Sequence, residues 1–267
     1  VHQRPCGPCP TIAPVRSVLT RPAVIIPAVI VASLAVFVGW FWVSASRTTE
    51  VTTQSALDEF GGPAGMTTLR GPAVGVWSYS ASGSETVGLG PFHVTRDQPA
   101  AARIVIRPAA GGYWRTLALS EEHVEGTRMR RSPQGTRATQ RHTMLRVAGL
   151  GRGDDTDLVP PPLIYPRTVS VGDRWTDRYR LREIDARATS RVTGRRVVTV
   201  AGRRVAVYEM RTDTVLSGAM QGTRNDEEWY APSLGMPVRL VLDVDLRGPV
   251  TLREHVVMTL QSTTPAT

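Results

Sequence analysis

From Val238 to Leu246 an apolar side chain falls at every second position. Val238, Leu240, Leu242, Val244 and Leu246 share one side, and Arg239, Asp243, Asp245 and Arg247 share the other. A period of two is the side-chain period of a β-strand with one buried and one wet face, and a helix cannot gather such a pattern on one side. After the turn at Arg247-Gly248-Pro249, Val250, Leu252, Val256, Met258 and Leu260 repeat the pattern. Upstream, Ala206, Tyr208 and Met210 alternate likewise, and Gly202 links them back to Val197–Val200 as a tight hairpin. Trp229-Tyr230 ends a further strand, and Pro232 to Gly235 forms the loop into Val238. In the preceding half, strands are predicted at Val74–Tyr79, Thr86–Val94, Arg103–Arg107, Tyr113–Leu119 and Thr136–Val147. A short helix is predicted at Leu119–Glu125. A long break is predicted from Gly149 to Pro166, around Pro160, Pro161 and Pro162, dividing the domain into two lobes. The predicted fold class is mainly β: a curved antiparallel sheet, a half-barrel-like meander, preceded by one transmembrane helix.

That helix is read from residues 22–46, which carry no charge, with Arg21 and Arg47 at the borders. About 20 helical residues span the hydrocarbon core of a bilayer. Arg4, Arg16 and Arg21 precede the run without an acid, whereas Glu50, Asp58 and Glu59 follow it. The positive flank stays inside, so the tail 1–21 is expected in the cytoplasm and the large portion outside the cell membrane. Trp40 and Trp42 sit near the outer end, as interfacial indoles do. The alternative is a secreted protein cleaved near Ala45, against which stands the length of the apolar run. Residues 47–72, rich in Thr, Ser and Gly, form a linker, and 73–263 form the extracytoplasmic β domain. The chain's cysteines, Cys6 and Cys9, lie in a Pro-rich tail with no strand before them, so neither a redox site nor a disulfide in the outer domain is expected.

All 32 basic residues are Arg. They are interleaved with acids, as in Asp173-Arg174, Asp177-Arg178 and Arg182-Glu183, rather than gathered in a basic stripe. Nucleic acid is therefore not an expected partner, while attraction to anionic lipid or envelope polymer is retained. No Gly-x-Ser-x-Gly or His-Glu-x-x-His occurs, and His93, His123, His142 and His255 show no metal-ligand spacing. No catalytic residue, metal or cofactor is predicted. Glu121, Glu122, His123 and Glu125 form a polar cluster read as a solvated turn or helix face, with cation binding the other account. Asp154, Asp155 and Asp157 are read as an exposed loop. Glu254 falls on the apolar face set by Leu252 and Val256. A buried acid there needs a partner such as Arg and would mark a ligand site; a bulge or exposed strand end is the plainer account.

Gly172-Asp173-x-Trp175, Val192-Thr193-Gly194-Arg195-Arg196-Val197, Gly222-Thr223 and Trp229-Tyr230-x-Pro232-x-x-Gly235-Met236-Pro237-Val238-Arg239 occur in that order. Upstream stands Gly75-Val76-Trp77-x-Tyr79-x-x-x-Gly83-x-Glu85. This order resembles uncharacterised actinobacterial proteins with one N-terminal membrane segment and an extracytoplasmic β domain. More distantly it is similar to periplasmic curved-sheet proteins such as the Lol lipoprotein carriers. The resemblance implies a curved sheet cupping an apolar ligand, with Trp77, Tyr79, Trp175, Tyr208, Trp229 and Glu254 as candidate lining. The expected function is a membrane-anchored binding or scaffold module of the cell envelope, with a lipid, a glycan or an envelope protein as partner and no enzymatic activity. The alternatives are an envelope enzyme using Glu254 or His255, and a structural subunit of a membrane complex.

Overall fold

The computed structural model describes residues 71–147 and 150–267. The apolar run at 22–46, the tail before it and the linker up to residue 70 lie outside them. Among the described residues no helix is long and apolar enough to cross a membrane.

The strands are β1 Gly75–Leu89, β2 Phe92–Asp97, β3 Ala101–Ala109, β4 Gly112–Ala118, β5 His123–Ser132, β6 Gly135–Val147 and β7 Leu150–Val159. They continue as β8 Leu163–Pro166, β9 Arg174–Leu181, β10 Ile184–Val200, β11 Arg203–Gly218, β12 Gln221–Ala231, β13 Met236–Arg247 and β14 Val250–Leu260. Every pairing is antiparallel. The meander is as expected, but the half-barrel is not: β14 returns to β1, in register from Tyr79↔Leu260 to Leu89↔Val250. Closure removes the two exposed edges that an open sheet would leave. Of fourteen strands, β2 shares an edge of β1 with β3, and β8 pairs only with β6, which leaves twelve around the ring.

The inward face of β1 holds Trp77, Tyr79 and Ala81, then Gly83, Glu85 and Val87. Trp77 and Tyr79 pack with Ile104, Ile106, Leu242 and Met258 in the main core. Facing outward are Arg174, Arg178, Arg180, Asp185, Arg187 and Asp243, all exposed, not the apolar band of a barrel that spans a bilayer. The hairpin β10–β11 turns at Ala201 and Gly202, both at positive φ (46° and 77°), as a two-residue hairpin requires. Its end joins the main core through Val198, Val200, Val205 and Val207, while Arg203 donates to Thr263 beyond the last strand. The hairpin end thus packs against the end of the barrel at which β14 finishes.

A predicted helix and a predicted break both fold differently. Leu119–Glu125 is not a helix: Ser120 Oγ accepts hydrogen bonds from the Glu122 and His123 amides, a tight turn, and β5 starts at His123. The break at 149–166 contains β7, paired with β6 from Gln140↔Asp157 to Val147↔Leu150, so pairing overrides the poor strand propensity of Gly and Asp there. Asp154, Asp155 and Asp157 therefore stand on a strand. The chain breaks only around Pro160–Pro162, and the sheet runs past this point, joined by two residue pairs, Leu158↔Leu181 and Val159↔Arg180. This is the narrowest seam of the ring.

Candidate functional site

The barrel interior is apolar toward Trp77 and Tyr79 and ionic farther along β1. Glu85 on β1 is the register partner of Glu254 on β14, and both are buried. His123, fully buried at the start of β5, stands against both: its Nδ1 is in close contact with Glu85 Oε2 and lies 3.4 Å from Glu254 Oε1. Glu85 also accepts a hydrogen bond from Arg96 Nε at 2.7 Å, and Arg96 reaches the Arg146 carbonyl at 2.9 Å. Burial by itself would drive His123 toward its neutral form, but the Glu254 and Glu85 charges outweigh it and hold its pKa well above the usual histidine value. Burial likewise opposes ionisation of Glu85, and His123 and Arg96 reverse this and lower its pKa.

The ionic layer continues. His123 Nε2 faces Glu125 Oε1 at 3.7 Å, and Glu125 is clamped by Arg141 at 2.8 Å and by Arg224 at 2.9 Å. Although burial opposes its ionisation, these two guanidinium groups hold Glu125 well below the usual carboxylate range. Beyond them Arg115 donates to the Tyr165 hydroxyl at 2.8 Å, and Tyr165 donates to Glu228 at 2.7 Å. A cavity of about 130 Å³ lies among these groups, with Arg115, Glu125, Arg141, Arg224, Asp226 and Glu228 in its wall.

A second concavity of about 940 Å³ opens where β7 and β9 part, with Arg178, Arg180, Arg182 and Arg187 among its lining residues. Tyr179 lines both this groove and the interior cavity. Arg180 is matched by Asp185 at 2.8 Å and Arg182 by Asp154 at 2.7 Å. Arg178 and Arg187 are register partners, both exposed, and neither guanidinium has a side-chain hydrogen bond or ion pair among the described residues.

The six residues predicted to line one cavity fall into three groups, Trp77 and Tyr79 with Trp229 packed against their core, Trp175 with Tyr208, and Glu254 apart from both. Trp77 and Tyr79 are packed solid; Trp77 Nε1 donates to the Ala73 carbonyl and the Tyr79 hydroxyl to that of Pro237. Trp175 and Tyr208 belong to a separate cluster with Tyr165, Val192 and Met210. Trp229 lies between the guanidinium groups of Arg196 and Arg239, at 4.6 and 5.1 Å from its ring centre. Glu254 alone joins the ionic cluster. It is neither on a bulge nor exposed; its ion-pair contact is His123, and its charge also acts on the Arg224 guanidinium. His123 and Glu125, read as solvated, are inside the barrel. His255 turns outward to Asp243 at 2.5 Å, away from Glu254. Sequence reasoning did not single out Glu85 as a site residue; the signal available was a charged residue at an inward position two residues past Gly83.

No family model matches the chain, and no curated protein matches it. Among solved structures it is similar to the hypothetical lipoprotein YmcC of Escherichia coli K12, with 12% sequence identity and a TM-score of 0.36, over 71% of this chain and 86% of that one. A TM-score of this size does not establish a shared fold, and no function follows from it. The actinobacterial resemblance gains no support from these comparisons. What the strands define is a closed, twelve-stranded antiparallel barrel with an apolar core and a buried ionic cluster.

Proposed function

We propose that this chain is a membrane-tethered binding module of a bacterial envelope, anchored by residues 22–46, and that it takes an anionic ligand at the β7–β9 seam. The anchor rests on the uncharged run and on the arginines Arg4, Arg16 and Arg21 before it. The observation that carries the ligand is the Arg178–Arg187 pair. Like charges directly opposite on neighbouring strands repel, and although Asp155, Asp157 and Asp185 also line the groove, none of them makes an ion pair with either guanidinium. A carboxylate or phosphate seated between two guanidinium forks would do so through charge-assisted hydrogen bonds. The groove's volume, about 940 Å³, is in the range of small-molecule sites. A ligand read by charge at the wall, such as an acidic glycan or an anionic lipid headgroup, suits this site better than an apolar molecule held inside.

The test is native mass spectrometry of the gently purified full chain beside R178Q/R187Q. The reading expects a retained anionic compound that the double variant loses. Retention unchanged in the double variant, or nothing retained while that variant still complements a deletion strain, would end it.

A further inference from the structure

Glu85, His123 and Glu254 each offer one ligand-type atom, and these atoms all lie within 4.8 Å of one another. The cluster is not satisfied as it stands. Neither oxygen of Glu254 accepts a hydrogen bond among the described residues, and His123 Nε2 is likewise without one, although all three atoms are buried. A buried carboxylate that has an ion-pair neighbour but accepts no hydrogen bond is costly, and buried polar groups are almost always hydrogen-bonded to protein, water or an ion.

We propose that Glu85, His123 and Glu254 form a binding site for a divalent first-row transition-metal ion, with Zn²⁺ as its type. One imidazole nitrogen with two carboxylate oxygens and no sulfur is a donor set for zinc, iron, cobalt or manganese. Donor atoms about 2.0–2.1 Å from a tetrahedral ion are about 3.3 Å from each other. His123 Nδ1 and Glu254 Oε1 are 3.4 Å apart. Glu85 Oε2 stands closer to Nδ1 than that, so the ion seats by moving this carboxylate outward. Parts of an outer shell are in place: Arg96 donates to Glu85, and Glu125, held by Arg141 and Arg224, stands 3.7 Å from Nε2, on the side of the ring away from Nδ1. The two carboxylates come from β1 and β14, whose pairing closes the ring, so capture of the ion is coupled to closure. The rival occupant is a proton on His123, which would offset the two carboxylates without any metal.

The experiment takes the full-length chain, purified in detergent, and measures its metal content by inductively coupled plasma mass spectrometry. The chain is then stripped with a chelator and melted with and without Zn²⁺, Mn²⁺ or Co²⁺. The expected result is stoichiometric metal, a Tm that falls on stripping and recovers by several degrees on adding an ion, and a Co²⁺ absorption spectrum with nitrogen–oxygen ligation. E254Q should lose this recovery, whereas H142N and H255N, which remove exposed histidines beside Asp155 and Asp243, should keep it. If E254Q does not give a β-type circular dichroism spectrum, the wild-type stripping and recovery decide the matter alone. A chain that holds no metal and whose Tm is unmoved by all three ions in hundredfold excess overturns the proposal in favour of the protonated histidine. A recovery abolished by H142N or H255N but kept by E254Q also overturns it.

Discussion

Glu85 and Glu254 are register partners across the β1–β14 pairing that closes the barrel, and both carboxylates point into its interior. Like charges opposed in this way destabilise a sheet unless a cation stands between them. Here His123 stands against both carboxylates and carries the offsetting charge, as a proton or as an ion on its Nδ1. Replacing it with Gln leaves two buried acids short of a counter-charge, and H123Q is expected to cost about 3–5 kcal/mol in urea unfolding. H123Q/E254Q should be less unstable than the sum of the single variants, with a coupling of about 0.5–3 kcal/mol. Strict additivity would show that the two side chains do not sense each other.

Closure of the ring also makes a steric demand at Gly83. Its φ is +133°, and an added Cβ would stand 1.9 Å from the His255 carbonyl oxygen on β14. G83A should therefore lose about 1–3 kcal/mol or more, read as a Tm lower by several degrees. G153A on β7, where the nearest atom to an added Cβ is 3.7 Å away, should change stability by less than about 0.5 kcal/mol. Equal losses at the two positions would remove the steric account.

Burial pushes the phenols of Tyr79, Tyr113, Tyr165 and Tyr179 upward, and that of Tyr230 to about 12. A folded pKa above the unfolded value of about 10 favours the native state below that pH. This contribution is whole below about pH 10 and is lost as the pH rises from there toward the folded values. The barrel should hold to about pH 10 and then unfold cooperatively, with phenolate absorbance rising together with loss of the β signal. Phenolate from all six tyrosines appearing near pH 10 with the fold intact would contradict the buried placement of these five.

At the β7–β9 groove the Arg178–Arg187 repulsion is expected to trade stability for binding. R187E replaces it with an attractive cross-strand pair and should raise stability by about 0.2–1 kcal/mol, while lowering retention of an anionic ligand. A variant that is stabilised yet binds as the wild type would separate the pair from the ligand.

Much of the fold was legible because alternation is a local property. Val238 to Leu246 announces a strand wherever it sits, and Gly202 and the Pro232–Gly235 loop mark turns by their backbone requirements. The segment at 149–166 was misread for a related reason: its Gly, Asp and Pro content opposes a strand locally, and only pairing with β6 makes one. His123 was misread as solvated because its side depends on where β5 begins. The Ser120 turn sets that phase, and shifting it by one residue would send His123 outward.

By itself the sequence determined that this protein is β-built, where most of its turns lie, and that an uncharged run precedes it. Tertiary structure decided that the sheet closes, and that Glu85 and His123, 38 residues apart, meet Glu254 inside it. The division has a physical cause. Which way a side chain points follows from its immediate neighbours along the strand, whereas which strands meet follows from burial summed over the whole ring, so a site built from three strands exists only once that ring has closed.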